Sequence, residues 1–124
     1  PETDIFMKES KRVLVSGGVI RIIVPDFDKL INDYSVNNNP QNFVDNSSLV
    51  GEKPKTLIKK LQYLIQGHGW HFCMYNKKTL IALFKKYNFN EIKIINPGEA
   101  RLAVPNGLDL FAHGGYSLFI EAIK

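Results

Sequence analysis

The stretch Lys11–Asp26, KRVLVSGGVIRIIVPD, decides the fold class of this chain. Within it, Val19–Val24 is apolar except for Arg21, and the run ends at Pro25. Apolar residues on both alternations are typical of a strand covered on both faces of its sheet. Proline ends such a run because it has no N–H for the ladder, and Gly17 suits the left-handed position just past a helix end. The stretch therefore predicts a helix end, a glycine turn, a buried strand and then a new helix.

The composition restricts the classes of protein to which this chain can belong. The chain has 124 residues, of which 44% are hydrophobic, and this predicts one core and a single domain over residues 1–124. The net charge is +4, but the lysines are scattered, which favours solvated helix faces over a nucleic-acid surface. No apolar run approaches the roughly 20 residues that a membrane span needs. With one cysteine and no leader pattern, a cytoplasmic location is expected.

The rest of the chain has the pattern of alternating helices and strands. The Asn- and Ser-rich stretch 35–51 is predicted to be an irregular excursion. Alternating elements with long connections favour an α/β layered fold, although nothing local settles the strand order. The predicted elements are a helix from Thr3 or Asp4 to about Val15, a short helix capped by Asp26 that includes Tyr34, an amphipathic helix from Pro54 to Gly67, a helix capped by Asn76 with a left-handed exit at Asn88, and strands over 91–95 and 117–123.

Three motifs, in order along the chain, resemble class I S-adenosylmethionine-dependent methyltransferases. The residues Val13-Leu14, Gly17-Gly18 and Val24-Pro25-Asp26 resemble the family passage RVL-x-x-GG followed by an apolar strand and VPD. The segment 71–89 resembles H-x-x-x-Y-[DN]-x-x-T-L-x-x-L, although Asn88 stands where the family has glycine. The segment 117–124, SLFIEAIK, is similar to the closing SL…EA-x-K of one methyltransferase subgroup.

The resemblance implies a partial Rossmann-like methyltransferase sheet with flanking helices. In a seven-stranded sheet that ends in an antiparallel hairpin, this chain would supply the fifth strand and the terminal strand pair. The chain is accordingly expected to be the C-terminal part of a methyltransferase domain, with an unspecified small-molecule or macromolecular methyl acceptor.

The cofactor of that family is S-adenosylmethionine. The family's first strand with its Gly-x-Gly loop is absent from this sequence, and no G-x-G-x-x-G pattern occurs in it. Gly17-Gly18 follows a predicted helix and precedes a strand, which is the reverse of a nucleotide-binding glycine turn. No cofactor-binding residue is therefore expected here. The chain alone is expected neither to bind the cofactor nor to be competent for methyl transfer.

Five residues are candidates for a pocket. Asp26 follows the end of a buried strand, where ligands gather in open α/β sheets, and the alternative is a helix cap. His71 and Tyr75 are candidates for catalysis because a histidine near neutral pKa can act as a base. The alternative for His71 is a loop histidine that hydrogen-bonds a helix end. His68 and Trp70 join Asp26 as candidates for the pocket rim.

Two other features are a cluster of metal-binding residue types and a charged residue within an apolar strand. His68, His71 and Cys73 form an H-x-x-H-x-C cluster, but a structural zinc site needs four ligands, so no metal is expected and Cys73 is expected to be buried as a small hydrophobic residue. Arg21 interrupts an apolar strand, and a buried arginine is uncommon unless it is paired. A sheet rim, an interface and a phosphate stay open as its partners.

A second function class follows from the same strand. Without the front strands of the family's sheet, strand 19–24 has an open edge, and such edges pair with other chains. The alternative to an enzyme part is a non-catalytic interaction module that forms homo-oligomers through this edge.

Overall fold

The computed structural model describes residues 2–47, 56, 58, 73–99 and 115–124. These residues form an α/β architecture, which confirms the predicted fold class at that level. The chain divides into two compact units, one of Pro1–Asp26 with Tyr75–Lys124 and the other of Phe27–Met74. The described elements are α1 (Glu2–Val13), β1 (Val19–Pro25), α2 (Phe27–Asn37), α3 (Pro40–Ser47), α4 (Lys77–Lys86), β2 (Asn90–Ile95) and β3 (Ser117–Ile123).

The three described strands form one sheet in the order β1-β3-β2. Both pairings are antiparallel, so β1 and β2 run in the same direction on either side of β3. The β1 register runs from Val19 opposite Ile123 to Pro25 opposite Ser117. Every residue of β3 from 118 to 122 is buried. Because successive side chains alternate between faces, both faces of the central strand are covered.

The main core lies on one face of this sheet, beneath α1 and α4. Even-numbered residues of β1 and β3 point to this face, and α1 contributes Met7. Burying such apolar side chains is the dominant favourable contribution to folding. The buried members of the core are Met7, Ile20, Leu80, Phe84, Phe89, Leu118, Ile120 and Ala122.

The paired glycines after α1 meet two different backbone requirements. Gly17 has a φ of +75°, which confirms the predicted left-handed position. At Gly18, a Cβ would lie 2.9 Å from the carbonyl oxygen of Val15, closer than real contacts allow. Lys124 closes the same turn, because its N–H donates to the Gly18 carbonyl (3.0 Å) and its Nζ donates to the Leu14 carbonyl (2.6 Å). A lysine is favourable at a helix C-terminus, where carbonyl groups lack partners.

Helix α4 begins and ends as the sequence predicts. The Asn76 side chain accepts a hydrogen bond from the Thr79 N–H (2.9 Å), and the Thr79 hydroxyl oxygen accepts one from the Asn76 N–H (3.1 Å). Asn88 takes the left-handed exit at φ 57°. Leu80 and Phe84 are the fully buried residues of its inner face.

The predicted irregular excursion over 35–51 is wrong for its described part. Helix α2 continues to Asn37, and α3 follows almost at once, while residues 48–51 lie outside the described residues. The Asn39 side chain accepts a hydrogen bond from the Asn42 N–H (3.1 Å), and Pro40 occupies the first helical position. Asparagine as a cap and proline as the first residue are strong helix-start signals. The sequence prediction missed the Asn39 cap and Pro40 because the surrounding residues are mostly polar.

Other boundaries differ by one or two residues. Helix α1 begins at Glu2 and ends at Val13, so Asp4 lies inside the helix and is not its cap. Strand β1 includes Pro25, which is buried at its last position. The helix predicted from Pro54 to Gly67 lies outside the described residues, apart from two isolated positions.

Candidate functional site

Two of the five candidate pocket residues lie side by side in the structure. Asp26 and Tyr75 form an isolated parallel β-bridge, and both are half-buried. The Asp26 N–H donates to the Tyr116 carbonyl (2.8 Å) on the β3 side of β1. The bridge to Tyr75 therefore lies on the opposite side of the chain, at the carboxyl end of β1. Asp26 also stands immediately before α2, in the position of the predicted cap.

The other three candidates, His68, Trp70 and His71, lie outside the described residues. The sequence hypothesis of a histidine base is therefore neither supported nor opposed by the described geometry.

An open groove of about 250 Å³ lies between α1, β1 and α4. Its floor is apolar, and Phe6 on its wall is 53% exposed. Tyr75 lines the groove, whereas Asp26 does not. Such a groove can accept an apolar group, but its described lining contains no nucleophile held against a base. The lining residues are Glu2, Thr3, Phe6, Met7, Ile22, Val24, Tyr75, Leu80 and Leu83.

A polar clamp fastens the two helices that wall the groove. The Tyr87 hydroxyl donates a short hydrogen bond to Asp4, and Lys86 Nζ lies 2.9 Å from the same Asp4 oxygen. Further along α1, Lys11 Nζ donates to the carbonyls of Tyr87 (2.9 Å) and Asn88 (2.7 Å). Lys11 thereby satisfies carbonyls at the end of α4, just as Lys124 does for α1.

The clamp shifts the pKa values of Asp4, Lys86 and Tyr87. The hydrogen bond from Tyr87, followed by the one from Lys86, lowers the pKa of Asp4 to about 2. The hydrogen bond to Asp4 raises the pKa of Tyr87 above its ordinary value and raises the pKa of Lys86 as well. The attachment of α1 to α4 is therefore stronger when the Asp4 carboxylate is ionised.

Arg21 is paired within the sheet. Its Nε donates to Glu121 Oε1 (2.7 Å), and Nη2 makes a shorter contact with the same oxygen. The two residues are direct register partners across β1 and β3. The Glu121 side chain is fully buried, and that of Arg21 is 18% exposed. Of the alternatives for Arg21, the structure thus provides a carboxylate partner from a neighbouring strand.

The remaining sequence hypotheses concern Cys73, metals and membranes. Cys73 is exposed, so its prediction as a buried residue is wrong: it lies before the capped helix and not within the core. Within residues 2–47, 56, 58, 73–99 and 115–124, no group of three or more His, Cys, Asp or Glu side chains is placed to hold a metal ion. Among the same residues, no helix has the length and apolar character to cross a bilayer.

Comparisons of this chain with protein-family models, with curated proteins and with solved structures find no match.

Sequence reasoning missed the partner of Arg21, although a signal for it exists. Strands β1 and β3 are both mainly apolar, and each carries one charge of opposite sign at an inner position. Antiparallel pairing of the two strands brings those charges opposite each other. The clamp around Asp4 had no comparable signal, because its partners are more than 80 positions away.

The buried ion pair predicts a large effect of removing its cation. Arg21→Met leaves the Glu121 carboxylate buried without its guanidinium, and we expect a loss of about 3 kcal/mol in the free energy of unfolding. Lys93→Met is the matched control, because Lys93 is the register partner of Glu121 on β2 but is exposed. Its expected change is within about 0.5 kcal/mol. Urea unfolding measures both, and equal losses would contradict the assignment.

The clamp predicts an acid-dependent contribution of Asp4 to stability. Since the pKa of Asp4 is about 2 in the folded chain and about 3.9 in an unfolded one, this contribution is complete above roughly pH 4. It is lost as the pH falls from about 4 to 2. We therefore expect Asp4→Asn to be less stable than the natural chain near neutral pH, with the difference vanishing toward pH 2. Thermal unfolding at a series of pH values tests this, and a difference that persists unchanged to pH 2 would refute it.

Proposed function

We propose that this chain forms the C-terminal part of a class I S-adenosylmethionine-dependent methyltransferase domain. In this proposal β1 is the fifth strand of the family's sheet, and β2 and β3 are the terminal pair. The observation that carries the proposal is that these three strands share one sheet and that the last two are antiparallel neighbours. A terminal antiparallel hairpin is the feature that the sequence resemblance implies.

The structural roles of the motif residues also support the proposal. Gly17 and Gly18 provide the tight turn into β1, and Asn76 caps α4. Glu121 and Lys124, from the closing motif, pair with Arg21 and close the turn after α1. These five motif residues therefore build the fold, whereas Asp26, His71 and Tyr75 of the same motifs are the candidates for a site.

The outer edge of β1 supplies the place for the rest of the sheet. The Gly18 carbonyl accepts from Lys124 and the Asp26 N–H donates to Tyr116, so even-numbered residues of β1 bond toward β3. Odd-numbered residues from Val19 to Ile23 consequently direct their N–H and C=O groups outward, and no described strand pairs there. At the carboxyl end of this edge, Asp26 forms its bridge with Tyr75. A neighbouring strand from the cofactor-binding half would complete the sheet along this edge. In methyl transfer such a domain mainly orients the acceptor against the cofactor's methyl group.

The first prediction of the proposal is that the chain alone does not hold the cofactor. Isothermal titration of the 124-residue chain with S-adenosylmethionine, and with S-adenosylhomocysteine as a second probe, is expected to give no binding heat. Binding at micromolar affinity would contradict the proposal that the cofactor site lies in another part of the domain, because the chain would then carry a cofactor site of its own.

The open edge also favours a second candidate function, that of an interaction module. An apolar strand whose outward groups have no strand partner among the described residues is a template for another strand. When no strand from a cofactor-binding half pairs with this edge, a second copy of the chain can pair with it.

The second candidate predicts a homodimer in solution. Light scattering on the purified chain is expected to give the mass of a dimer that dissociates on dilution. A monodisperse monomer across the accessible concentrations would exclude this role and leave the methyltransferase proposal untouched.

A further inference from the structure

We propose that the groove between α1, β1 and α4 is a binding site for a small organic ammonium ion, a ligand with an apolar body and a protonated amine. The apolar body lies on the floor of the groove, and the amine lies against Glu2 and the ring of Phe6. All the lining residues belong to one compact unit of the chain. The inference goes beyond the methyltransferase proposal, because it concerns a ligand that this chain binds by itself.

The floor of the groove fits an apolar group of limited size. Ile22 and Val24 of β1 form the floor together with Leu80 and Leu83 of α4. All of them except Leu80 are half-buried, so a ligand can contact their side chains from outside. The volume of the groove is about 250 Å³, which is just below the roughly 300 to 1,000 Å³ of drug-sized pockets. A single ring with a short chain is therefore favoured over a larger ligand.

The charged and aromatic groups of the lining determine the charge of the ligand. Glu2 is the only described lining residue that is charged at neutral pH, and no Lys, Arg or His is among the described lining residues. Phe6 and Tyr75 contribute two aromatic rings. A carboxylate attracts an ammonium ion, and the face of an aromatic ring does so as well through the cation–π interaction. The groove therefore favours a cation and disfavours a carboxylate or a phosphate.

Glu2 and Phe6 are neighbours on α1. They are four positions apart in the helix, so their side chains lie on the same face, one turn from each other. Glu2 is exposed, and it makes no ion pair within the part of the chain that the structure describes. Phe6 is 53% exposed, although phenylalanine is among the residues most often buried. An ammonium ion over this ring has the Glu2 carboxylate one helical turn away.

Two lysines on the helices that wall the groove are engaged elsewhere. Lys86 Nζ lies 2.9 Å from an Asp4 oxygen, and Lys11 Nζ donates to carbonyls at the end of α4. Neither lysine lines the groove. The charge of Glu2 is therefore not compensated by either of these cations.

A second apolar groove in the chain provides an internal control. It lies between α2 and α3, has a volume of about 310 Å³ and contains two aromatic rings in an edge-to-face contact. None of its described lining residues is charged. Comparison of the two grooves therefore isolates the effect of the carboxylate. The lining residues of the second groove are Ile31, Tyr34, Pro40, Phe43 and Val44.

The test titrates the full chain with three probes of matched size, which are phenethylammonium, phenethyl alcohol and phenylpropionate. Methyl NMR gives a dissociation constant at each groove. At Ile22, Val24 and Leu83 we expect the ammonium probe to bind about threefold to tenfold more tightly than the alcohol, and the carboxylate probe to bind most weakly. At Ile31 and Val44, which report on the second groove, we expect no preference for the ammonium probe.

Two variants test the role of Glu2. Glu2→Gln removes the charge at nearly constant size, and we expect the preference for the ammonium probe over the alcohol to fall below about twofold. Glu9→Gln is the matched control, because it makes the same change on the same helix, whereas Glu9 is paired with Arg12 and does not line the groove. Its preference should equal that of the natural chain. Glu2 also lies in the first turn of α1, where a carboxylate stabilises a helix, but that role alone would leave the ratio of the two affinities unchanged.

Three outcomes would overturn the proposal. An equal preference for the ammonium probe in both grooves, or a preference that survives Glu2→Gln unchanged, would refute the recognition of a cation by this carboxylate. The absence of shifts at Ile22, Val24 and Leu83 with all three probes would refute the groove as a ligand site. None of these outcomes bears on the binding of S-adenosylmethionine, which tests the methyltransferase proposal separately.

Discussion

The ion pair between Arg21 and Glu121 is the interaction on which the sheet depends. Both residues stand in otherwise apolar stretches, and Glu121 is fully buried. A shift of two residues between β1 and β3 would place each charge opposite an apolar partner, at the cost of an uncompensated buried charge. The pair thereby fixes the register of the two strands. Since β3 is the central strand, this register also places the core residues beneath α1 and α4.

Polar contacts at the periphery hold the helices over that core. Lys124 closes the turn after α1, Lys11 reaches the end of α4, and Asp4 bonds to Lys86 and Tyr87. These contacts are between elements distant in sequence, and they define the walls of the groove. The groove is therefore a consequence of how two helices are fastened side by side. Its described lining is mainly apolar and is suited to an apolar group.

The outer edge of β1 is the point at which the two candidate functions meet. In the methyltransferase proposal, a strand of the cofactor-binding half pairs there. In the interaction-module proposal, a second copy pairs there. One strand edge has room for one neighbour, so the two states exclude each other. A chain that self-associates through β1 would have to dissociate before a cofactor-binding half could complete the sheet.

Local signals were sufficient where local geometry decides the structure. The left-handed Gly17, the capping box of Asn76 and the left-handed Asn88 were all predictable, because each depends on residues within one turn. The prediction of an irregular stretch over 35–51 was wrong because composition outweighed the Asn39-Pro40 helix start. For the candidate site, the sequence singled out Asp26 and Tyr75 separately, and no local pattern indicated that they form a bridge.

The sequence by itself determined the class of the fold, the apolar strands and both ends of α4. These features depend on signals that act over a few residues, so they can be recognised in the sequence alone. The signals are hydrophobic periodicity, the conformations of glycine and asparagine, and capping side chains. Only the tertiary structure decided the strand order β1-β3-β2, the partner of Arg21, the clamp around Asp4 and the bridge between Asp26 and Tyr75. These features depend on contacts between residues up to about a hundred positions apart, and loop closure over such distances leaves no local trace in the amino-acid pattern.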